Sequence, residues 1–144
     1  MPNARQTPPM PGIIATEDRL AIRELMDAYG DAVCRRNAED WVATWAPDGH
    51  WSIRGQEIAG RAALRTVWCQ AMTAYKFVSF TSYPGALWAE GDTVHARVQT
   101  TEWLTPVQGR VRRQHGTYDD RLVKLAGRWY FAHRRFSVNE MQEF

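Results

Sequence analysis

Residues 110–138, RVRRQHGTYDDRLVKLAGRWYFAHRRFSV, hold two long runs of β-forming residues on either side of the turn signal AGR at 126–128. Period-2 alternation within each run predicts an antiparallel hairpin with one face turned to a core. Two further runs of the same kind precede it, KFVSFTSYPGALWA (76–89) and TVHARVQTTEWLTP (93–106), separated from each other by EGD and from the hairpin by VQG. Connections this short exclude parallel crossovers between consecutive strands. The C-terminal half therefore reads as a meander of long antiparallel strands.

The N-terminal half has a different period. Ile22, Leu25, Met26, Tyr29 and Val33 recur at helical spacing after Thr16, which is expected to cap the helix, with Glu17 and Asp18 in the first turn. A second, short helix is expected from Asn37, carrying Trp41 and Trp45 and stopped by a turn at APDG (46–49). HWSI and QEI then read as two short strands about Arg54 and Gly55, and a third helix follows Gly60 with Leu64, Val67, Trp68, Ala71 and Met72 on one face. Helices first and long strands later predict an α+β domain in which N-terminal helices pack on one face of a curved, mostly antiparallel sheet. Residues 1–15, with four prolines, are expected to form a flexible arm ahead of a single domain at 16–144.

Composition bounds the function. A chain of 144 residues with a net charge of +2 offers no strong field for nucleic acid. No apolar run reaches the ~20 residues of a membrane span, and the first residues lack the apolar core of a signal peptide. The expected location is the cytoplasm. Cys34 and Cys69 form no CxxC pair and are expected to be free thiols, and His50, His95, His115 and His133 lack metal-ligand spacing, so no metal is expected. RVRRQH (110–115) is read as a solvated hairpin edge rather than a phosphate site.

The segment GTYDDRLVKLAGRWYFAHRRF (116–136) closely resembles the last hairpin of SnoaL-like proteins of the nuclear-transport-factor-2-like superfamily. YGDAVCRRNAEDWVATWAPDGHW (29–51) resembles their first two helices and following strand, and GRAALR (60–65) extends the likeness. The resemblance implies a cystatin-like conical barrel with a pocket between helices and concave sheet, assembled as a homodimer or homotrimer. The family's scytalone dehydratase-like and polyketide cyclase-like members imply lyase or isomerase chemistry. Its dehydratases use a tyrosine and an aspartate from the first helix with a histidine from the sheet. Tyr29 matches the tyrosine, but Cys34 stands at the aspartate's position, and Ser79, Phe80 or Thr81 at the histidine's, depending on a bulge. The family's acid–base pair is therefore missing, and no cofactor is implied.

Other inward groups are candidates. At about 100° per residue, Tyr29 lies on the apolar stripe of the first helix, Asp31 roughly opposite it, and Cys34 on the flank near the helix end. The resemblance turns Tyr118 into the pocket. Thr100, Glu102 and Leu104 share one strand face, which the alignment also turns inward. In the last strand, strict alternation from Trp129 and Phe131 sends His133 and Arg135 inward, whereas the family's pocket arginine aligns with Arg134; one bulge reconciles the two. Trp41, Trp45, Trp51, Trp68, Phe80, Tyr83 and Trp103 are candidate aromatic walls.

Two readings follow. In the first, a lyase or isomerase acts on a hydrophobic oxygenated aromatic or polycyclic substrate, with Tyr29 and Tyr118 as hydrogen-bond donors, His133 or Glu102 as base, and an arginine stabilising an oxyanion. In the second, the chain is a non-catalytic ligand-binding or assembly domain resembling the β subunits of ring-hydroxylating dioxygenases.

Overall fold

The structure is a computed structural model that describes residues 14–144. Three helices, α1 (Thr16–Arg35), α2 (Ala38–Ala43) and α3 (Arg61–Met72), pack on a six-stranded curved sheet. Its strands are β1 (Trp45–Ile53), β2 (Gln56–Ala59), β3 (Tyr75–Glu90), β4 (Thr93–Pro106), β5 (Arg112–Leu125) and β6 (Arg128–Glu143), in the spatial order β2-β1-β6-β5-β4-β3. All neighbours are antiparallel except β1 and β6. That parallel pair joins strands from opposite ends of the chain, so it needs no short crossover. Among the described residues no helix is long and apolar enough to cross a membrane.

The apolar stripe of α1 is buried as its spacing requires, with Ile22, Met26, Tyr29 and Val33 in the core. Asp31 is exposed and pairs with Arg35 one turn on, at 2.8 Å. The helix begins one residue earlier than expected: Ala15 is the cap, and Thr16 is already helical. Most of the expected arm lies outside the described residues, but Ile14 is buried in the core. Asn37 does cap α2, its side chain accepting the Asp40 N–H at 2.9 Å.

Two local expectations are corrected. Trp45 opens β1 instead of ending α2, and APDG is an irregularity inside β1, where the register with β6 shifts between Trp45 and His50. Gly49 packs against the Trp45 side chain there, which a helix-stopping turn would not require. RVRRQH is no edge, because β5 lies inside the sheet between β4 and β6.

The β5–β6 hairpin closes with Ala126 and Gly127 at φ 49° and 80°, the two left-handed residues of a type I′ turn between the paired Leu125 and Arg128. Further along, Arg121 pairs with His133 but Leu122 with Phe131, which leaves Ala132 as an extra residue. This bulge resets the alternation, so that Phe131 and Arg134 both face inward. Gly116 on β5 is required by close approach: a Cβ there would lie 2.3 Å from the buried ring of Phe136. Gly116→Ala is expected to displace that ring and destabilise the protein by about 1–3 kcal/mol, measurable as a lower midpoint in urea unfolding.

Candidate active site between the helices and the concave sheet

A cavity of about 520 Å³ opens between α1, α3 and the inner face of the sheet, within the usual range for small-molecule sites. Most of its wall is apolar: Val33 from α1, Trp68 and Met72 from α3, Phe80 from β3 and Leu104 from β4. Polar side chains interrupt this lining: Arg54, Gln56, Thr66, Gln70 and Tyr75 belong to it, and five more come from α1, β1, β4 and β5. Tyr29 lies on the buried stripe of α1, Trp51 on β1, Glu102 on β4, and Gln114 and Tyr118 four residues apart on one face of β5.

The two tyrosines and the tryptophan form a chain. The Tyr118 hydroxyl accepts the Trp51 indole N–H at 3.2 Å and shares a hydrogen bond with the Tyr29 hydroxyl at 3.3 Å. Burial pushes both phenols above their ordinary value, against the opposing pull of Arg134. They are therefore protonated donors at neutral pH. When Tyr29 donates to Tyr118, the Tyr118 oxygen accepts two hydrogen bonds and its own proton is free for a ligand.

Beneath this chain lies Arg134, fully enclosed. Its Nε and Nη2 donate to the two carboxylate oxygens of Asp120 at 2.8 and 3.0 Å, with side-chain exposures of 1% and 0%. The guanidinium carbon sits 3.8 Å from the centroid of the Tyr118 ring, 4.0 Å from that of Phe131 and 4.4 Å from that of Tyr29. Burial pushes the Asp120 carboxyl up, against the pull of Arg134, but two N–H donors on two carboxylate oxygens is the geometry of a charged pair.

Glu102 is the carboxylate on the cavity wall. Burial raises its pKa to about 7, only partly offset by the hydrogen bond from Gln114 Nε2 at 3.3 Å and by Arg54. The opposite end of the Gln114 amide, Oε1, is buried and has no hydrogen-bond partner among the described residues. An acceptor and a titrating carboxylate thus stand side by side on a mostly apolar wall.

Of the expected site residues, Tyr29, Tyr118, Glu102, Leu104, Trp51 and Phe80 line the cavity. Thr100 is buried on the same face of β4 but does not line the cavity. Arg134, not Arg135, is the inward arginine, and it stands behind the tyrosines rather than on the wall. Arg135 is exposed.

His133 is corrected: the bulge at Ala132 turns it to the outer face, where its Nε2 meets Ser52 Oγ at 2.8 Å, so it cannot serve as a base in the cavity. Cys34 is corrected too. It is exposed outside the cavity, with its Sγ accepting the Phe80 N–H at 3.3 Å and contacting the Phe80 carbonyl at 3.5 Å. Of the three candidates for the histidine's position, Phe80 is the buried one. Tyr83 and Trp103, exposed at 67% and 40%, are not wall residues, and Trp41 and Trp45 are core.

Gln114 and Phe136 were missed, although stepping back by twos from Tyr118 reaches Gln114. The basic composition of RVRRQH concealed it. Two of the histidines that lack metal-ligand spacing in the sequence meet in the fold: β1–β6 pairing sets His50 opposite His133, and both lie beside Glu57 on the outer face.

With this geometry the molecule can be set beside known proteins. Residues 15–135 match the SnoaL-like domain. No curated protein sequence matches the chain. A scytalone dehydratase-like protein of Novosphingobium aromaticivorans has the same fold, with a TM-score of 0.81 and 18% identity over 89% of this chain and 88% of that one. A hexachlorocyclohexane dehydrochlorinase, LinA type 2, superposes with a TM-score of 0.82 and 17% identity over 89% of each chain. A protein of unknown function from Nostoc punctiforme, described as having a cystatin-like fold, gives a TM-score of 0.75 and 19% identity over 88% of this chain and 94% of that one. Those likenesses are of fold, whereas the domain match spans most of the sequence: the chain belongs to the SnoaL-like family.

Proposed function

We propose that the protein is a small lyase or isomerase that removes a proton from carbon next to a carbonyl in a hydrophobic, oxygenated aromatic or alicyclic substrate. One observation carries this reading: Glu102, with a pKa of about 7, shares an apolar cavity with a hydrogen-bonded pair of protonated tyrosines. A general base is most effective when its pKa lies near the working pH. Glu102 takes the proton, the C–H electron pair becomes a C=C bond to the carbonyl carbon and the C=O π pair moves to oxygen. The enolate then collapses, either expelling a leaving group from the next carbon with its bonding pair, which the acid form of Glu102 protonates, or taking the proton back at another carbon. Tyr118, supported by Tyr29 and Trp51, donates a hydrogen bond to the oxygen on which negative charge develops, or to a leaving group on the neighbouring carbon. Arg134 acts through the faces of both tyrosine rings, where its positive charge favours negative charge near their hydroxyls. The solved relatives described as scytalone dehydratase-like and as a dehydrochlorinase have names that denote eliminations, which support the same class of reaction here.

A specific observation favours a second reading, a non-catalytic binding domain. The residue at the position of the family's aspartate is an exposed cysteine, none of Ser79, Phe80 and Thr81 at that of its histidine is a base, and the hydrogen-bond partner of Glu102 is Gln114 rather than a tyrosine.

The test is deuterium exchange into a panel of cyclic aromatic and alicyclic ketones in heavy water, followed by NMR. Wild type is expected to exchange the proton next to the carbonyl along a profile that rises through about pH 7, and Glu102→Gln to lose about 10²–10⁴-fold in rate while binding the same compounds. Binding without exchange in wild type establishes the second reading. Tyr118→Phe is expected to weaken binding or turnover by about 0.5–1.5 kcal/mol, one hydrogen bond.

Stability should carry the same signature. The folded-state pKa of Glu102, about 7, lies above its ordinary 4.5. Between those values the unfolded chain releases a proton that the folded chain keeps, so stability falls as pH rises through this window, by up to about 3 kcal/mol. Glu102→Gln should flatten that slope in urea unfolding measured across the window and leave the variant more stable than wild type above it.

A further inference from the structure

The outer face of the sheet, behind the cavity, holds a second convergence of side chains that the proposed reaction does not use. His50 on β1 and His133 on β6 are register partners across the parallel pair, with ring centroids 4.7 Å apart. Glu57 on β2 stands opposite Ser52 on β1. Its Oε2 contacts His50 Nε2 and accepts the Ser52 hydroxyl at 2.5 Å, and Ser52 Oγ also lies 2.8 Å from His133 Nε2. One donor atom from each of His50, Glu57 and His133 lies within 4.8 Å of the other two.

We propose that His50, Glu57 and His133 form a zinc site clamping the β1–β2 hairpin to β6. Two imidazole nitrogens and one carboxylate oxygen are a donor set suited to zinc, which takes three protein ligands and leaves a fourth position to solvent. Tetrahedral bonds of zinc length place ligand atoms about 3.4 Å apart. The two contacts to Glu57 and Ser52 already gather the three groups, and His50 and Glu57, with side-chain exposures of 37% and 60%, have room to rotate the remaining distance. The ion replaces protons now shared among these atoms, and Ser52 stays as a hydrogen-bond donor to the Glu57 carboxylate. The adjoining groove, which His133 shares with Arg121, Arg135, Asp119 and Asp120, is of mixed charge, and the fourth position is left to solvent.

The placement gives the ion a consequence for the cavity. Trp51 lies between His50 and Ser52 on β1, points to the opposite face and donates to Tyr118. A clamp at its two neighbours fixes the strand that holds this donor.

The experiment is titration of the metal-stripped full chain with zinc chloride by calorimetry, paired with cobalt(II) absorption spectra. One zinc per chain is expected, with affinity at least about tenfold weaker in each of His50→Ala, His133→Ala and Glu57→Gln. The cobalt spectrum should lack a thiolate charge-transfer band, and unfolding midpoints should rise with zinc in wild type only. Should a histidine variant fail to fold, Glu57→Gln on the exposed hairpin and the cobalt spectrum still decide the matter. Absence of binding, binding unchanged in the folded variants, or a thiolate band placing the metal on Cys34 or Cys69 would each overturn the proposal.

Discussion

Arg134 and Asp120 meet inside the molecule with almost no solvent around either side chain, and much of the fold is arranged around that contact. Removing two charges from water is costly, and the attraction between them offsets the cost only where hydrogen bonding is close to complete. Here two guanidinium nitrogens engage both carboxylate oxygens, while the third, Nη1, is buried with no hydrogen-bond partner among the described residues, and aromatic rings from α1, β5 and β6 cover the guanidinium. Breaking such a pair leaves an uncompensated buried charge, at about 3–5 kcal/mol. The register of β5 on β6 and the seating of α1 on the sheet are therefore coupled, because the tyrosine of the helix and the aspartate of the strand must reach the same cation.

The same contact shapes the cavity. Tyr29 and Tyr118 are held from behind by Arg134 and joined at their hydroxyls, while Trp51 supplies a third hydrogen bond. Glu102 stands elsewhere on the wall, where burial rather than a partner histidine brings its pKa close to neutrality. The acid–base pair of the family's dehydratases is missing from this sequence, and the tyrosine pair of the cavity is set apart from its carboxylate. The donors are rigid and polarised by an arginine, and the titrating group is tuned by desolvation.

One extra residue decides which side of the sheet the remaining polar groups serve. Without the bulge at Ala132, alternation from Phe131 would bring His133 and Arg135 into the interior and turn Arg134 out. With it, Arg134 completes the buried pair and His133 joins His50 and Glu57 behind the cavity. Inner and outer clusters are consequences of a single irregularity, and both bear on β1, whose Trp51 faces in and whose His50 and Ser52 face out.

The sequence by itself determined the features that rest on short-range periodicity. The helical stripe from Ile22 to Val33, the start of α2 at Asn37, the four long strands, the Ala126–Gly127 turn and the shared face of Thr100, Glu102 and Leu104 all follow from spacings of two to four residues, which backbone geometry converts directly into direction, while the family resemblance turned that shared face inward. The pocket tyrosines were legible for the same reason, with the family resemblance supplying the orientation of Tyr118. What only the tertiary structure decided depends on pairing between distant segments. The parallel β1–β6 ladder, the irregularity at 46–49 and the position of the bulge leave no local signature, because a one-residue change of register reverses every side chain beyond it while composition stays the same. Cys34 shows the limit from the helix side: the azimuth placed it on the flank, but only the docking of β3 against α1 showed that its sulfur meets the Phe80 backbone instead of the cavity.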